Sequence, residues 1–165
     1  MHDSSMERMK EFVAQYLNTN IKINVLDVGS CCKHKSQKSY RELFDNDNWS
    51  YFGLDLEVGN NVDIVAKSPY DWDINLELYD VVISGQCLEH VKDTKEWIKQ
   101  IDKYLKPSGL VCIIAPWRWR QHRYPVDCWR ILPDGMEFLL KDVCGFEIIN
   151  IFIKEDDCIG VARKK

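Results

Sequence analysis

Apolar positions along this chain follow two rhythms. In one, short unbroken runs are closed by polar or turn residues, which is the pattern of strands buried on both faces. Residues 23–28, 51–55, 62–65, 79–84 and 110–115 read this way. In the other, apolar residues recur at three- and four-residue spacing. Met6, Met9, Phe12, Val13 and Tyr16 place a helix over 4–18. Tyr40, Leu43 and Phe44 predict a helix over 36–46, and Trp97, Ile98, Ile101, Tyr104 and Leu105 one over 92–105, stopped by Lys106-Pro107-Ser108-Gly109. Pro69 and the aspartates beside it make 68–73 a loop. Residues 117–132 are irregular and 134–143 helical. Two last strands, 146–153 and 158–163, are joined through Glu155-Asp156-Asp157, a link short enough for an antiparallel hairpin. The expected fold is α/β: a Rossmann-like, doubly wound sheet of seven strands, mostly parallel, ending in an antiparallel hairpin. The chain reads as one domain over 1–165, with a helical segment at 1–20.

Two strands end in an acidic residue beside a glycine: Val25-Leu26-Asp27-Val28-Gly29-Ser30 and Tyr51-Phe52-Gly53-Leu54-Asp55-Leu56. In open α/β sheets, ligands bind at the carboxyl ends of the strands. Asp55 follows Asp27 by 28 residues, room for one strand–helix–strand unit. Its carboxylate is placed to hold the hydroxyls of an adenosine ribose, through bonds of about 1.5–3 kcal/mol each. A dinucleotide site needs G-x-G-x-x-G, but the chain continues Gly29-Ser30-Cys31-Cys32-Lys33-His34. No G-x-x-x-x-G-K-[ST] loop occurs. An adenosine ligand without a pyrophosphate fits better, and S-adenosylmethionine (SAM) is the expected cofactor.

LDVGS, YFGLDL, YDVVISGQCLEHV and LKPSGLVCIIAP occur in this order. In these pieces the chain resembles the class I SAM-dependent methyltransferases over about residues 21–165. The later segment His122-Arg123-Tyr124-Pro125-Val126-Asp127-Cys128-Trp129-Arg130 is similar to a group of small methyltransferases met near glycan-modifying enzymes. The resemblance implies methyl transfer from SAM, leaving S-adenosylhomocysteine (SAH). The family's first loop usually carries further glycines, whereas residues 31–38 here contain none. That departure supports the alternative of an inactive SAM-binding homologue serving a partner enzyme.

Several residues are candidates for the site. Asp27, Gly29 and Ser30 are expected around the cofactor's methionine portion, with Lys33, His34 and Lys35 near its carboxylate. Asp55 is assigned to the ribose, Leu56 to a face of the adenine, and Pro69 and Tyr70 to the same rim. Gln86 and Glu89 follow the fourth strand, where acidic character suits a sulfonium. His90 reads as a structural histidine. The acceptor is expected at 117–132, where arginines alternate with aromatic residues. Arg118, Arg123, Tyr124 and Arg130 are the candidates to hold it, because guanidinium forks match phosphate and carboxylate. His122 is the candidate general base and Asp127 its orienting partner. The expected acceptor is a small anionic molecule, such as a sugar phosphate, a nucleotide-sugar or a carboxylate metabolite, methylated at oxygen.

Bulk properties narrow the alternatives. The net charge of −4 argues against a general nucleic-acid binder. No apolar run approaches the ~20 residues of a membrane span, and the N-terminus lacks a signal-peptide core, so cytoplasmic residence is expected. The seven cysteines read as free thiols, and the adjacent Cys31 and Cys32 suit zinc spacing poorly. No metal site is expected. A methyltransferase that uses these thiols on a soft element is a minor alternative.

Overall fold

The computed structural model describes residues 3–32, 37–74 and 78–165. Helix α1 spans Asp3–Tyr16, and β1 Ile23–Val28, β2 Trp49–Asp55, β3 Ile64–Val65 and β4 Tyr79–Gly85 follow. Helix α2 is Thr94–Tyr104 and β5 is Leu105–Pro116. Helix α3, Pro133–Glu137, precedes β6 Glu147–Lys154 and β7 Asp157–Arg163. The seven strands form one sheet in the order β3-β2-β1-β4-β5-β7-β6. All pairings are parallel except β5–β7 and β6–β7, so the expected doubly wound sheet with a terminal hairpin is observed.

Both faces of the central strands are covered, which is why their sequences are continuously apolar. Side chains alternate across the sheet. Val25, Val81 and Ile83 face α1 and pack with Met9, Phe12 and Tyr40. Leu26, Val82 and Val111 face the other way, onto Trp97, Ile98 and Ile101 of α2 and Met136 and Leu140 beyond. The carboxylate of Asp93 caps α2 by accepting from Glu96 N at 3.1 Å.

The predicted helix over 36–46 is not formed among its described residues, which hold a single 3-10 turn, Tyr40–Leu43. Tyr40 and Phe44 are buried as their spacing required. The polar run 45–48 then turns the backbone away: Asn46 Oδ1 accepts from Asn48 N at 2.9 Å, and Trp49 N donates to Asn46 O at 2.9 Å. Short polar side chains compete with helical bonds in this way. Boundaries shift elsewhere. Strand β3 shrinks to two residues. Strand β5 begins at Leu105, the last residue of the predicted helix, and runs through the expected stop at 106–109. It absorbs Ser108 (φ 63°) where its register with β4 shifts. The predicted helix over 134–143 begins as α3 and continues over Phe138–Val143 as wider π-type turns.

Candidate active site

The strand order reverses between β1 and β4, and a crevice opens at their carboxyl ends, as the fold dictates. A cavity of about 810 Å³ occupies it, within the range of small-molecule sites. One wall comes from the ends of β1 and β2. Gly29 has φ +83°, and its N–H donates to Leu54 O at 2.9 Å, so the chain turns tightly across the end of β2. A Cβ there would lie 2.6 Å from both Cβ and Sγ of Cys87, so only glycine fits.

Asp55 lines the cavity. Its Oδ2 accepts from Cys31 N at 2.9 Å and its Oδ1 from Leu56 N at 2.7 Å. A carboxylate has about four acceptor sites, so capacity remains for a ligand's hydroxyls. Leu56, Pro69 and Tyr70 stand on the same wall, with Tyr70 fixed by its hydroxyl, which accepts from Asp93 N at 3.0 Å. Gln86 also lines the cavity, and its side chain donates to Asp157 Oδ1 at 2.8 Å.

Asp27 and Ser30 lie behind this wall, both buried and neither lining the cavity. Burial lifts the Asp27 carboxyl to about 7, opposed by the hydrogen bond donated by the Tyr51 hydroxyl. Ser30 Oγ donates to Asn61 O at 2.8 Å. These two residues shape the end of β1. The Lys33, His34 and Lys35 candidates lie outside the described residues.

The opposite wall is the segment 117–132, irregular as expected. It is pinned to the loop after β4. Cys128 N and Trp129 N donate to Glu89 O at 2.7 and 3.3 Å, and Trp129 Nε1 donates to Val91 O at 2.7 Å. Arg130 grips Asp127 with two nitrogens, at 2.6 and 2.9 Å, and also donates to Arg120 O at 3.0 Å. This grip holds the Asp127 carboxyl well below its usual range. Asp127 Oδ2 accepts from His122 N at 2.7 Å and lies 3.5 Å from His122 Nδ1.

The four acceptor candidates therefore separate. Tyr124 lines the cavity. Arg118 turns away to pair with Asp156 at 2.6 Å, in the turn between β6 and β7. Arg130 is occupied in building the segment, and Arg123 is exposed outside the cavity lining. Arg120, which the sequence reading did not single out, lines the cavity instead. Which arginine of an irregular segment points inward depends on its turns, and periodicity carries no signal for that.

His90, expected to be a structural histidine, hydrogen-bonds Val126 O through Nδ1 at 2.5 Å and lines the cavity beside His122. The two rings meet edge to face, with centroids 4.9 Å apart. Directly behind them lies Glu89, fully buried. Its Oε1 is 3.6 Å from His90 Nε2 and 3.9 Å from His122 Nε2. Among the described residues neither Glu89 oxygen has a well-formed hydrogen bond, and burial raises its carboxyl to about 7. Burial also lowers the His90 imidazole below its ordinary value.

The sequence matches the model of a methyltransferase-domain family over residues 3–135. No curated protein matches at a significant level. Solved structures share the fold. A SAM-dependent methyltransferase from Methanosarcina mazei superposes with a TM-score of 0.69 at 16% identity, covering 93% of this chain and 96% of the other. One from Aquifex aeolicus gives 0.70 at 11% identity, with 100% of both chains covered. The 1,6-didemethyltoxoflavin-N1-methyltransferase of Burkholderia thailandensis, solved with 1,6-didemethyltoxoflavin and S-adenosylhomocysteine, gives 0.75 at 15% identity, covering 99% of this chain and 79% of that one. By its seven-stranded sheet and the family model that spans most of its length, the chain belongs to the methyltransferase-domain family of SAM-dependent enzymes.

Proposed function

We propose that this protein transfers the methyl group of SAM to a hydroxyl of a small anionic molecule that enters beneath the segment 117–132. The observation that carries the reading is a single cavity. It joins Gly29, Asp55, Leu56 and Tyr70 on one wall to Arg120, His122 and Tyr124 on the other.

The residues present suit the cofactor. Asp55 keeps free acceptor capacity for the ribose hydroxyls, and the Gly29 turn leaves backbone rather than side chain at the end of β1. Leu56, Pro69 and Tyr70 offer surfaces to the adenine, and Gln86 lies toward the methionine end, whereas Glu89, expected beside it, is buried behind His90 and His122. Asp27 and Ser30 support that end from behind. When bound, SAM supplies a methyl group already activated on a sulfonium. The protein's part is to align the acceptor with it and exclude water, and alignment of two reactants is worth about 7–11 kcal/mol. Trp119 and Tyr124 line the cavity on the side of 117–132, and Arg120 supplies a cation for an anionic acceptor.

A hydroxyl must lose its proton as it attacks. His122 lines the cavity, with Nδ1 3.5 Å from Asp127 Oδ2 and Nε2 3.9 Å from Glu89 Oε1. We assign it the role of general base, oriented by Asp127, which Arg130 in turn holds. Such a base contributes about 10²–10⁴-fold. The test is a screen of anionic metabolites with labelled SAM, followed by His122→Ala on the acceptor found. Turnover should fall about 10²–10⁴-fold with SAH affinity kept, and near-normal turnover would remove His122 from the chemistry. Acceptor affinity should also weaken as salt is raised.

A further inference from the structure

We propose that Glu89, His90 and His122 form a binding site for a divalent first-row transition-metal ion, at the acceptor end of the cavity. One ligand atom from each residue lies within 4.8 Å of the other two. Two donors on a common ion, each at about 2.0–2.2 Å, stand about 3–3.5 Å apart. The observed separations of 3.6 and 3.9 Å from Glu89 Oε1 to the two Nε2 atoms need only small side-chain adjustments.

Two further observations point to a cation. The first is Glu89 itself. Its side chain is fully buried, both oxygens lack a well-formed hydrogen bond among the described residues, and Oε1 faces the two imidazoles. A buried carboxylate left this way is costly, and an ion between it and the rings would satisfy it. The second is the orientation of the rings. His90 Nδ1 lies 2.5 Å from the carbonyl oxygen of Val126, which can only accept, so Nδ1 carries the proton and Nε2 keeps its lone pair. His122 Nδ1 lies 3.5 Å from Asp127 Oδ2 and 3.4 Å from Arg120 O, again acceptors. Metal-bound histidines are typically held like this, with the second nitrogen on a carbonyl or carboxylate. Asp127 would thus be a positioning residue, itself held by Arg130.

Two imidazoles and one carboxylate, with positions open toward a cavity, suit iron, manganese, cobalt or zinc rather than magnesium or calcium, which prefer oxygen alone. The site's use in methyl transfer rests on the proposed function, since an ion there could polarise an acceptor's oxygen. With the ion bound, His122 is a ligand, and its role as base belongs to the ion-free protein.

The test is a titration of the chelator-treated protein with CoCl₂ in the absence of SAM, followed by visible absorption. One equivalent should saturate, with the ligand-field bands of nitrogen and oxygen donors, and zinc should displace it. His90→Asn, His122→Asn and Glu89→Gln should each weaken cobalt binding at least about 10-fold, and Asp127→Asn about 10-fold, with folding checked by circular dichroism and a cooperative melt. If Glu89→Gln does not fold, the histidine variants decide. No saturable binding, binding unchanged in both histidine variants, or a thiolate-to-cobalt charge-transfer band would overturn the proposal. SAH calorimetry on the same preparation separates the two readings. SAH binding without cobalt binding removes the ion alone, whereas cobalt binding without SAH binding removes the cofactor reading and leaves the ion site standing.

Discussion

The two walls of the cavity are built in different ways. On the cofactor side, the groups that matter are held by backbone. Asp55 is fixed by the amides of Cys31 and Leu56, and the Gly29 amide by the carbonyl of Leu54. On the other side, side chains hold one another: Arg130 grips Asp127, which faces His122, which faces the buried Glu89. A wall set by strand ends is the same in any sequence that forms the sheet. A wall set by side-chain partners can change with single substitutions. On the proposed reading, cofactor affinity belongs to the first wall and acceptor choice to the second.

The contrast can be broken most severely at Asp55. If its carboxylate holds two ribose hydroxyls at about 1.5–3 kcal/mol each, Asp55→Ala should weaken SAH binding about 10²–10⁴-fold in calorimetry. The acceptor wall, made elsewhere, should remain folded.

Next in size is the group buried behind the cofactor wall. Burial raises the Asp27 carboxyl to about 7 in the folded protein, while the unfolded chain titrates near 4. Between these values the folded state holds the extra proton. Stability should therefore decrease as pH rises from about 4 to about 7, by up to a few kcal/mol, and level off above. Asp27→Asn keeps an oxygen to accept from Tyr51 and should flatten this slope in denaturant melts across that window.

Arg130→Ala separates the walls directly. Losing the double contact to Asp127 should misplace His122 and lower turnover about 10²-fold, with SAH affinity little changed. A proportional loss of SAH affinity would mean that the two walls are not independent.

Arg118→Ala should have the smallest effect. Its pairing with Asp156 is an exposed surface contact worth about 0–1 kcal/mol. Turnover should stay within about twofold and the melting temperature should barely move. A large loss of acceptor affinity would return Arg118 to the acceptor site.

The readability of the site follows the same division. The place of Asp55, Gly29 and Leu56 on the cavity wall is legible because a strand end, a glycine and an acid at that spacing admit few arrangements. Tyr70 and Gln86 followed from lying just past a strand on the same rim. The helix expected over 36–46 was misread because Tyr40, Leu43 and Phe44 satisfy one 3-10 turn as well as a longer helix, and the polar residues after them decide the matter. Arg118 and Arg120 are two residues apart in one irregular segment, and their order gives no means of telling which enters the cavity. The meeting of Glu89 and His90 with His122 was not legible either, because they belong to different loops joined through α2 and β5.

Alternation and run length, acting through burial on two sheet faces, settled the strands, their layering and the carboxylate at the tip of β2 from the chain alone. Only the folded molecule decided which buried acid lacks a well-formed hydrogen bond among the described residues, which histidine nitrogens face it and which arginine turns inward. The reason is physical: strand and helix patterns arise from neighbours in sequence, whereas the acceptor wall arises from contacts between segments that are distant along the chain and have no repeating period.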